Sequence, residues 1–321
     1  NIRNVSFGVQ RILWGFFKKL VIADRLLVAV TTIVHNTDEY QGVYVLVGMF
    51  FYAITLYADF TGGIDIAIGV AELFGIHLKE NFERPFFSKS IAEYWRRWHI
   101  SLSYWFRDYM FYPISVSKPI LEFSKFCRKH AGEWLGKRIP IYLASIIVWF
   151  TTGIWHGAAW NFIVWGLLNC LVILVSQECT PLYEKFHNKF NVKDKFWFRL
   201  FQVGRTFWLM SFLRTFDCYQ NVGLTFKMYS TIFTRINIMD LFRGGLMQLG
   251  LSLQDYAVLV PAVCLLLLVS LAGRNSSVRE KLAAKPLMVR YLTYIFIFLS
   301  VLIFGAYGVG YDSSQFIYSR F

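Results

Sequence analysis

The chain has 321 residues and a formal charge of +13, and A, V, I, L, M, F, W, Y and C make up 56% of it, above the roughly 45–50% usual for a comparable apolar set in soluble proteins. With 32 Phe, 18 Tyr and 11 Trp and a mean hydropathy of +0.45, this excludes an ordinary water-soluble core and points to a protein that meets both hydrocarbon and headgroups. The positive charge does not argue for nucleic acid, because Lys and Arg sit between apolar runs, where cytoplasmic loops concentrate them; the lipid bilayer is the expected partner.

Residue 1 is Asn and no signal sequence precedes it, so the expectation is one membrane domain that lacks earlier spans. Residues 5–34 are apolar but interrupted by Lys18, Lys19, Asp24 and Arg25, and predict a helix of uncertain depth. Apolar stretches near 43–60, 140–156, 158–177, 196–216, 256–272 and 291–309 predict six membrane-spanning helices. Prolines such as Pro85, Pro113, Pro140 and Pro286 are expected at segment edges. Cys127, Cys170, Cys179, Cys218 and Cys264 form no metal spacing and read as free thiols, so no metal site is expected.

Charge orients the predicted spans. Residues 77–138 carry twelve Lys or Arg against six Asp or Glu, and the stretches 178–195 and 273–290 are basic too, whereas 35–42 holds Asp38 and Glu39 without a base. The basic stretches are expected in the cytoplasm and 35–42 outside. Residues 77–138 hold too many aromatics for a free loop, so part of them is expected to re-enter the membrane where protein or water can satisfy the backbone.

Three stretches carry chemistry. Tyr57-Ala58-Asp59-Phe60-Thr61-Gly62-Gly63-Ile64-Asp65 places two carboxylates at the end of one span and the start of an amphipathic helix. Asp59 is expected to form a structural pair, with an Arg of the next stretch a possible partner. That stretch, Trp95 to Tyr109, puts Arg96, His99, Ser103 and Arg107 on one stripe if it is a continuous helix. The stripe suits an interfacial helix against headgroups or the wall of a cavity. Third, His156 in Gly153-Ile154-Trp155-His156-Gly157 lies within a strongly apolar stretch, where ionisable groups are uncommon and face a cavity or bond to a neighbouring helix. Its flanking glycines leave room for a substrate or another backbone. No nucleophile-elbow, phosphate-loop or zinc spacing is present to anchor a serine hydrolase, an ATPase or a metalloenzyme.

Taken together, Tyr57 to Gly62 with Asp65 and Ala67-Ile68-Gly69, Glu80-Asn81-Phe82 with Arg84-Pro85-Phe86, Trp95 to Tyr109, Gly153 to Gly157 and the closing Gln315-Phe316-Ile317-Tyr318 resemble, in order, the membrane-bound O-acyltransferase family. Within it the chain is similar to the alginate O-acetyltransferase and teichoic acid D-alanyltransferase branch. One departure is Phe60-Thr61-Gly62-Gly63-Ile64-Asp65, where bacterial relatives usually carry Phe-Ser-Gly-Tyr-Ser-Asp.

The resemblance implies an all-α polytopic bundle with a tunnel through the bilayer. The donor would be an acyl thioester, acetyl-CoA or an acyl carrier protein on the cytoplasmic side, used as substrate with no bound cofactor. The acceptor hydroxyl would belong to a cell-surface polysaccharide and be served by an extracytoplasmic partner acyltransferase. The family's invariant histidine falls on His156 and its second on His99; Arg96, Ser103, Arg107, Asp108, Trp155, Asn161, Asp59 and Asn81 are candidate residues of the tunnel and substrate path. The expected localisation is the bacterial plasma membrane. Rival readings are D-alanyl transfer from a carrier protein and, in another class, a transporter or channel whose histidines relay protons.

Overall fold

A computed structural model describes residues 2–307, so the closing stretch Gln315 to Tyr318 and the end of the span expected at 291–309 lie outside the described residues. The fold is all-α, and it divides into two compact units, one made of the chain up to residue 79 and from residue 226 on, the other of residues 80–225.

In the first unit, Ile2–Phe16, Phe17–Ala23 and Asp24–His35 follow one another without a break in helical backbone, the middle piece in π-helical winding with all seven residues buried. This run packs antiparallel on the 31-residue helix Val43–Leu73. Two reciprocal glycine pairs set the distance: a Cβ on Gly8 would stand 2.7 Å from the Gly69 carbonyl oxygen, and one on Gly15 2.6 Å from that of Gly62. Small residues at these crossings let two backbones touch, as membrane helices commonly do. Gly62 of the Tyr57–Asp65 stretch therefore serves helix packing.

Close packing brings the charged residues of the first run against the carboxylates of the second. Lys19 lies 2.6 Å from Asp59 and 2.7 Å from Asp24, Lys18 2.6 Å from Asp65 and 2.7 Å from the Thr61 hydroxyl, and Arg11 2.9 Å from Asp65. Arg25 pairs with Asp255 and donates to the Phe304 carbonyl at 2.7 Å. Two sequence expectations are corrected here. Asp59 pairs with Lys19, because the lysines of the N-terminal run reach it first. The stretch Tyr57–Asp65 is the middle of one uninterrupted helix, since nothing in it breaks the winding.

In the second unit, helix Lys118–Ala131 turns at Gly132 (φ +91°) into helix Glu133–His156, and the Ser124 hydroxyl donates to the Gly136 carbonyl at 2.6 Å to close the hairpin. Pro140 sits inside the second of these helices, so the edge expected there lies seven residues earlier; the Gly136 carbonyl, which a proline four residues on leaves without an amide donor, is the one that the Ser124 hydroxyl meets. Trp160–Glu178 and Phe196–Tyr219 complete the unit with the short helices between.

By length and composition, five helices among the described residues can cross a bilayer: Val43–Leu73, Glu133–His156, Trp160–Glu178, Leu253–Ala272 and Leu287–Phe304. The sixth expected span, 196–216, is a 24-residue helix, long enough at about 1.5 Å per residue. It carries Arg199, Arg205, Arg214 and Asp217 and falls short of the others in apolar content.

Candidate functional site

The stretch from Trp95 to Tyr109 is not one helix. Ser90 caps Ile91–Arg97 by accepting from the Glu93 amide at 3.2 Å, and the helix then stops, because Trp98 forms an antiparallel bridge with Phe82. The Glu83 amide donates to the Arg97 carbonyl and the Ile100 amide to the Asn81 carbonyl, both at 3.0 Å. His99, between these anchors, takes the left-handed conformation at φ +47°, unusual for a residue with a Cβ and a sign that the surrounding bonds hold it there. A new helix, Ile100–Phe106, starts from it and passes into a π-helical turn, Arg107–Phe111. The expected four-residue stripe therefore does not form, since the winding that would carry it is broken at Trp98 and His99 between two short helices.

The candidate residues then separate. Asn81 accepts from the Ser101 amide at 3.1 Å and hydroxyl at 2.6 Å, and the Ser103 hydroxyl donates to the Trp95 carbonyl at 3.2 Å, so both brace the turn that carries His99. Arg96 is exposed. Arg107 is exposed too, pairs with its neighbour Asp108 at 2.7 Å and lies over the Tyr104 ring. Asn161 is buried and donates to the Phe216 carbonyl at 3.3 Å, tying the start of one helix to the end of another. Asp59 belongs to the ion pairs of the other unit.

His156 ends its helix at Gly157, and three residues later the next helix returns along it. The two cross at backbone contact: a Cβ on Gly166 would stand 2.4 Å from the Trp149 carbonyl oxygen, and one on Gly153 2.7 Å from that of Phe162. The space beside these glycines is thus taken by the returning helix, the second of the two uses foreseen for it. This crossing sets the His156 ring 4.8 Å from Trp165 and 4.9 Å from Trp155, both edge to face, and 6.3 Å from Phe162. Trp155 also stands 6.3 Å from the His99 ring. One indole thus joins the two histidines that the sequence singled out, 57 residues apart in the chain.

The charge at this site comes from a residue that the sequence reading passed over. Arg214 of Phe196–Tyr219 places its guanidinium 4.7 Å from the Trp165 ring centroid, 5.3 Å from Trp98 and 5.5 Å from Trp95, and donates to Asp217 at 2.9 Å. Both side chains are buried. Burial in the first place, and the Arg214 guanidinium in the second, push His99 down to about 4, so its imidazole is neutral at physiological pH. Burial also raises the Tyr94 phenol, which keeps it protonated. The indole N–H groups of Trp95 and Trp165 are buried without an acceptor among the described residues, a costly state for a donor. Arg214 did carry a signal: a charged residue near the end of a predicted span is a functional candidate in its own right.

A profile of the membrane-bound O-acyltransferase family matches residues 2–216. The chain is 32% identical over 187 residues to the peptidoglycan O-acetyltransferase of Helicobacter pylori (58% of this chain, 32% of the relative). It is 37% identical over 159 residues to a probable alginate O-acetylase of Azotobacter vinelandii (50% and 28%). It is 29% identical over 211 residues to the teichoic acid D-alanyltransferase of Bacillus subtilis (64% and 49%). The aligned stretches thus span half or less of the length of these relatives. The family profile covers two thirds of the residues and takes in both histidines and Arg214, and on that ground the chain belongs to the membrane-bound O-acyltransferase family.

Proposed function

We infer that this chain passes an acyl group, acetyl in the first instance, from a cytoplasmic thioester donor toward a hydroxyl of an extracytoplasmic polysaccharide. The observation that carries the reading is the pair of histidines gathered around Trp155 within a cage of indoles and one guanidinium. Neutral His156 takes the proton of the attacking hydroxyl; the hydroxyl oxygen bonds to the thioester carbonyl carbon, the C–S bond breaks, and the sulfur of CoA or of the acyl carrier leaves as the thiol, taking the proton back from His156. General-base help of this kind is worth about 10²–10⁴ in rate. His99, neutral and fixed by its turn, polarises the thioester carbonyl as the charge develops. A polymer is too large for a tunnel, so an extracytoplasmic acyltransferase is the partner that completes the transfer.

The alternation of basic and acidic connections supports cytoplasmic placement of 178–195 and 273–290 in a bacterial plasma membrane. With both inside and Leu253–Ala272 crossing, Phe196–Tyr219 must cross as well, in spite of its charges. A cysteine placed at Lys189 should stay unlabelled by an impermeant reagent in intact cells; labelling there overturns the orientation.

The test of the chemistry is labelled acetyl transfer in membranes, read together with protein abundance. His156→Ala should lose about two to four orders of magnitude in rate at near-normal abundance. His156→Gln keeps a polar group but cannot accept the proton; near-wild-type transfer by it removes His156 as the base. The match to the B. subtilis D-alanyltransferase, the longest of the three alignments, favours D-alanyl transfer as the second reading. Labelled D-alanine on a carrier protein, offered in parallel, separates the two.

A further inference from the structure

We propose that Arg214 is a positioning residue of this site: its guanidinium, clamped among Trp95, Trp98 and Trp165 and tied to Asp217, locks the His99 turn to the helix that carries Trp165, the ring against which His156 packs, and fixes a positive charge beside the imidazoles. The role rests on the acyltransfer reading for its effect on turnover, while the charge itself is readable without any transfer.

The geometry is that of a keystone. Trp95 and Trp98 lie on either side of the end of Ile91–Arg97, immediately before His99, and Trp165 lies on Trp160–Glu178, against His156. The rings also pack on one another: Trp95 is 4.9 Å from Trp149 and 5.9 Å from Trp165 between ring centroids, and Trp98 stacks on the Tyr94 phenol at 5.5 Å. Arg214 meets the faces that this packing leaves, so it bonds three elements through a planar group that stacks on π-systems, which a lysine does not reproduce. Asp217 holds one edge of the fork, so the cation is oriented.

Its charge is the one that acts on His99. On the elements packed around that ring, Glu93 pairs with Arg97 at 2.6 Å and Arg96 is exposed, while 80–84 contributes Glu80, Glu83 and Arg84. The helix ending in His156 has no other ionisable group in its last four turns, and Trp160–Glu178 has only Cys170 before its final residue. A buried cation next to an imidazole disfavours a second positive charge there. Arg214 therefore combines a mechanical and an electrostatic function in one side chain.

Removing Arg214 alone leaves Asp217 buried and unpaired, which is itself destabilising, so the informative variant is the double one, Arg214→Met with Asp217→Asn. In purified full-length chain, the rate of His99 modification by diethyl pyrocarbonate, which attacks neutral imidazole, is followed against pH by peptide mass spectrometry. The midpoint should move up by about one pH unit in the double variant and stay in place in Arg214→Lys, which keeps the charge. Acyl transfer should fall at least tenfold in both, in turnover rather than in KM for the donor. A folded double variant with an unchanged midpoint and unchanged turnover overturns the proposal, as does an Arg214→Lys enzyme with wild-type turnover. Should the double variant fail to accumulate, Arg214→Lys decides the matter alone. Wild-type protein that transfers no acyl group, yet shows the shifted midpoint in the variant, sinks the acyltransfer reading and leaves the electrostatic assignment standing.

Discussion

The two charged regions of this chain are built on opposite plans. Around Lys18 and Lys19, carboxylates from neighbouring helices meet the cations at 2.6–2.7 Å, so each ammonium is met by opposite charge at hydrogen-bond distance. Around His99 and His156 the neighbours are mostly aromatic rings, and a buried ion pair, Arg214 with Asp217, stands behind the indoles. The first plan makes charge inert; the second keeps an imidazole neutral and chemically available in an apolar setting. A carboxylate in a membrane helix invites a functional reading; for Asp59 and Asp65 the cations of the N-terminal run account for the burial without one.

The contrast can be broken most strongly at Lys19. Lys19→Met leaves Asp59 and Asp24 without their shared cation, and loss of one partner of a buried pair costs about 3–5 kcal/mol. The expected result is loss of protein from the membrane, measured by quantitative blotting, whereas His156→Ala should lose rate and keep abundance. Lys19→Met protein at wild-type level would erase the distinction.

A smaller effect sharpens the other side. Because burial and Arg214 hold His99 down to about 4, the unfolded chain binds a proton below about 6.5 that the folded chain refuses. Stability should therefore fall as pH drops from about 6.5 toward 4 and level off below. The slope is at most about 1.4 kcal/mol per pH unit, with solvent at the part-exposed ring reducing it. His99→Gln should flatten this part of the thermal-stability profile; an unaltered profile would assign the acid loss to other groups. The smallest effect is expected at Arg107, exposed and paired with an adjacent aspartate. Arg107→Ala should leave abundance unchanged and alter the KM for the donor a few-fold at most. A large fall in turnover would restore it to the core of the site.

Much of the scaffold was legible from residue patterns, because hydropathy and span length are local properties. Five of the six expected spans coincide with long apolar helices, and the sixth is a helix whose arginines set it apart. His99 and His156 stood out for the same reason, as rare residue types in apolar or aromatic company. What stayed hidden depends on partners distant in the chain. The break at Trp98 and His99 comes from pairing with Phe82, which helical periodicity cannot reveal, and it dissolves the stripe through Ser103 and Arg107. The Lys19–Asp59 pair depends on glycine-set approach of two helices, and the Arg214 cage on indoles of two other helices and of the turn at Trp98. Pair formation is tertiary information, and one sequence does not hold it in any local pattern.

The π-helical turn Phe17–Ala23 gives the N-terminal run one place of slack. Such a turn holds one residue more than α-helical winding over the same length, so it can give up a residue by relaxing to α while the helices on either side keep their positions. The α-helical pieces have no such outlet: removing one residue between Gly8 and Gly15 would turn one glycine contact about 100° away from the other. Loss of an apolar residue such as Leu20 from the turn should therefore leave Arg25 on Asp255, and the run works as a ruler with a single elastic division.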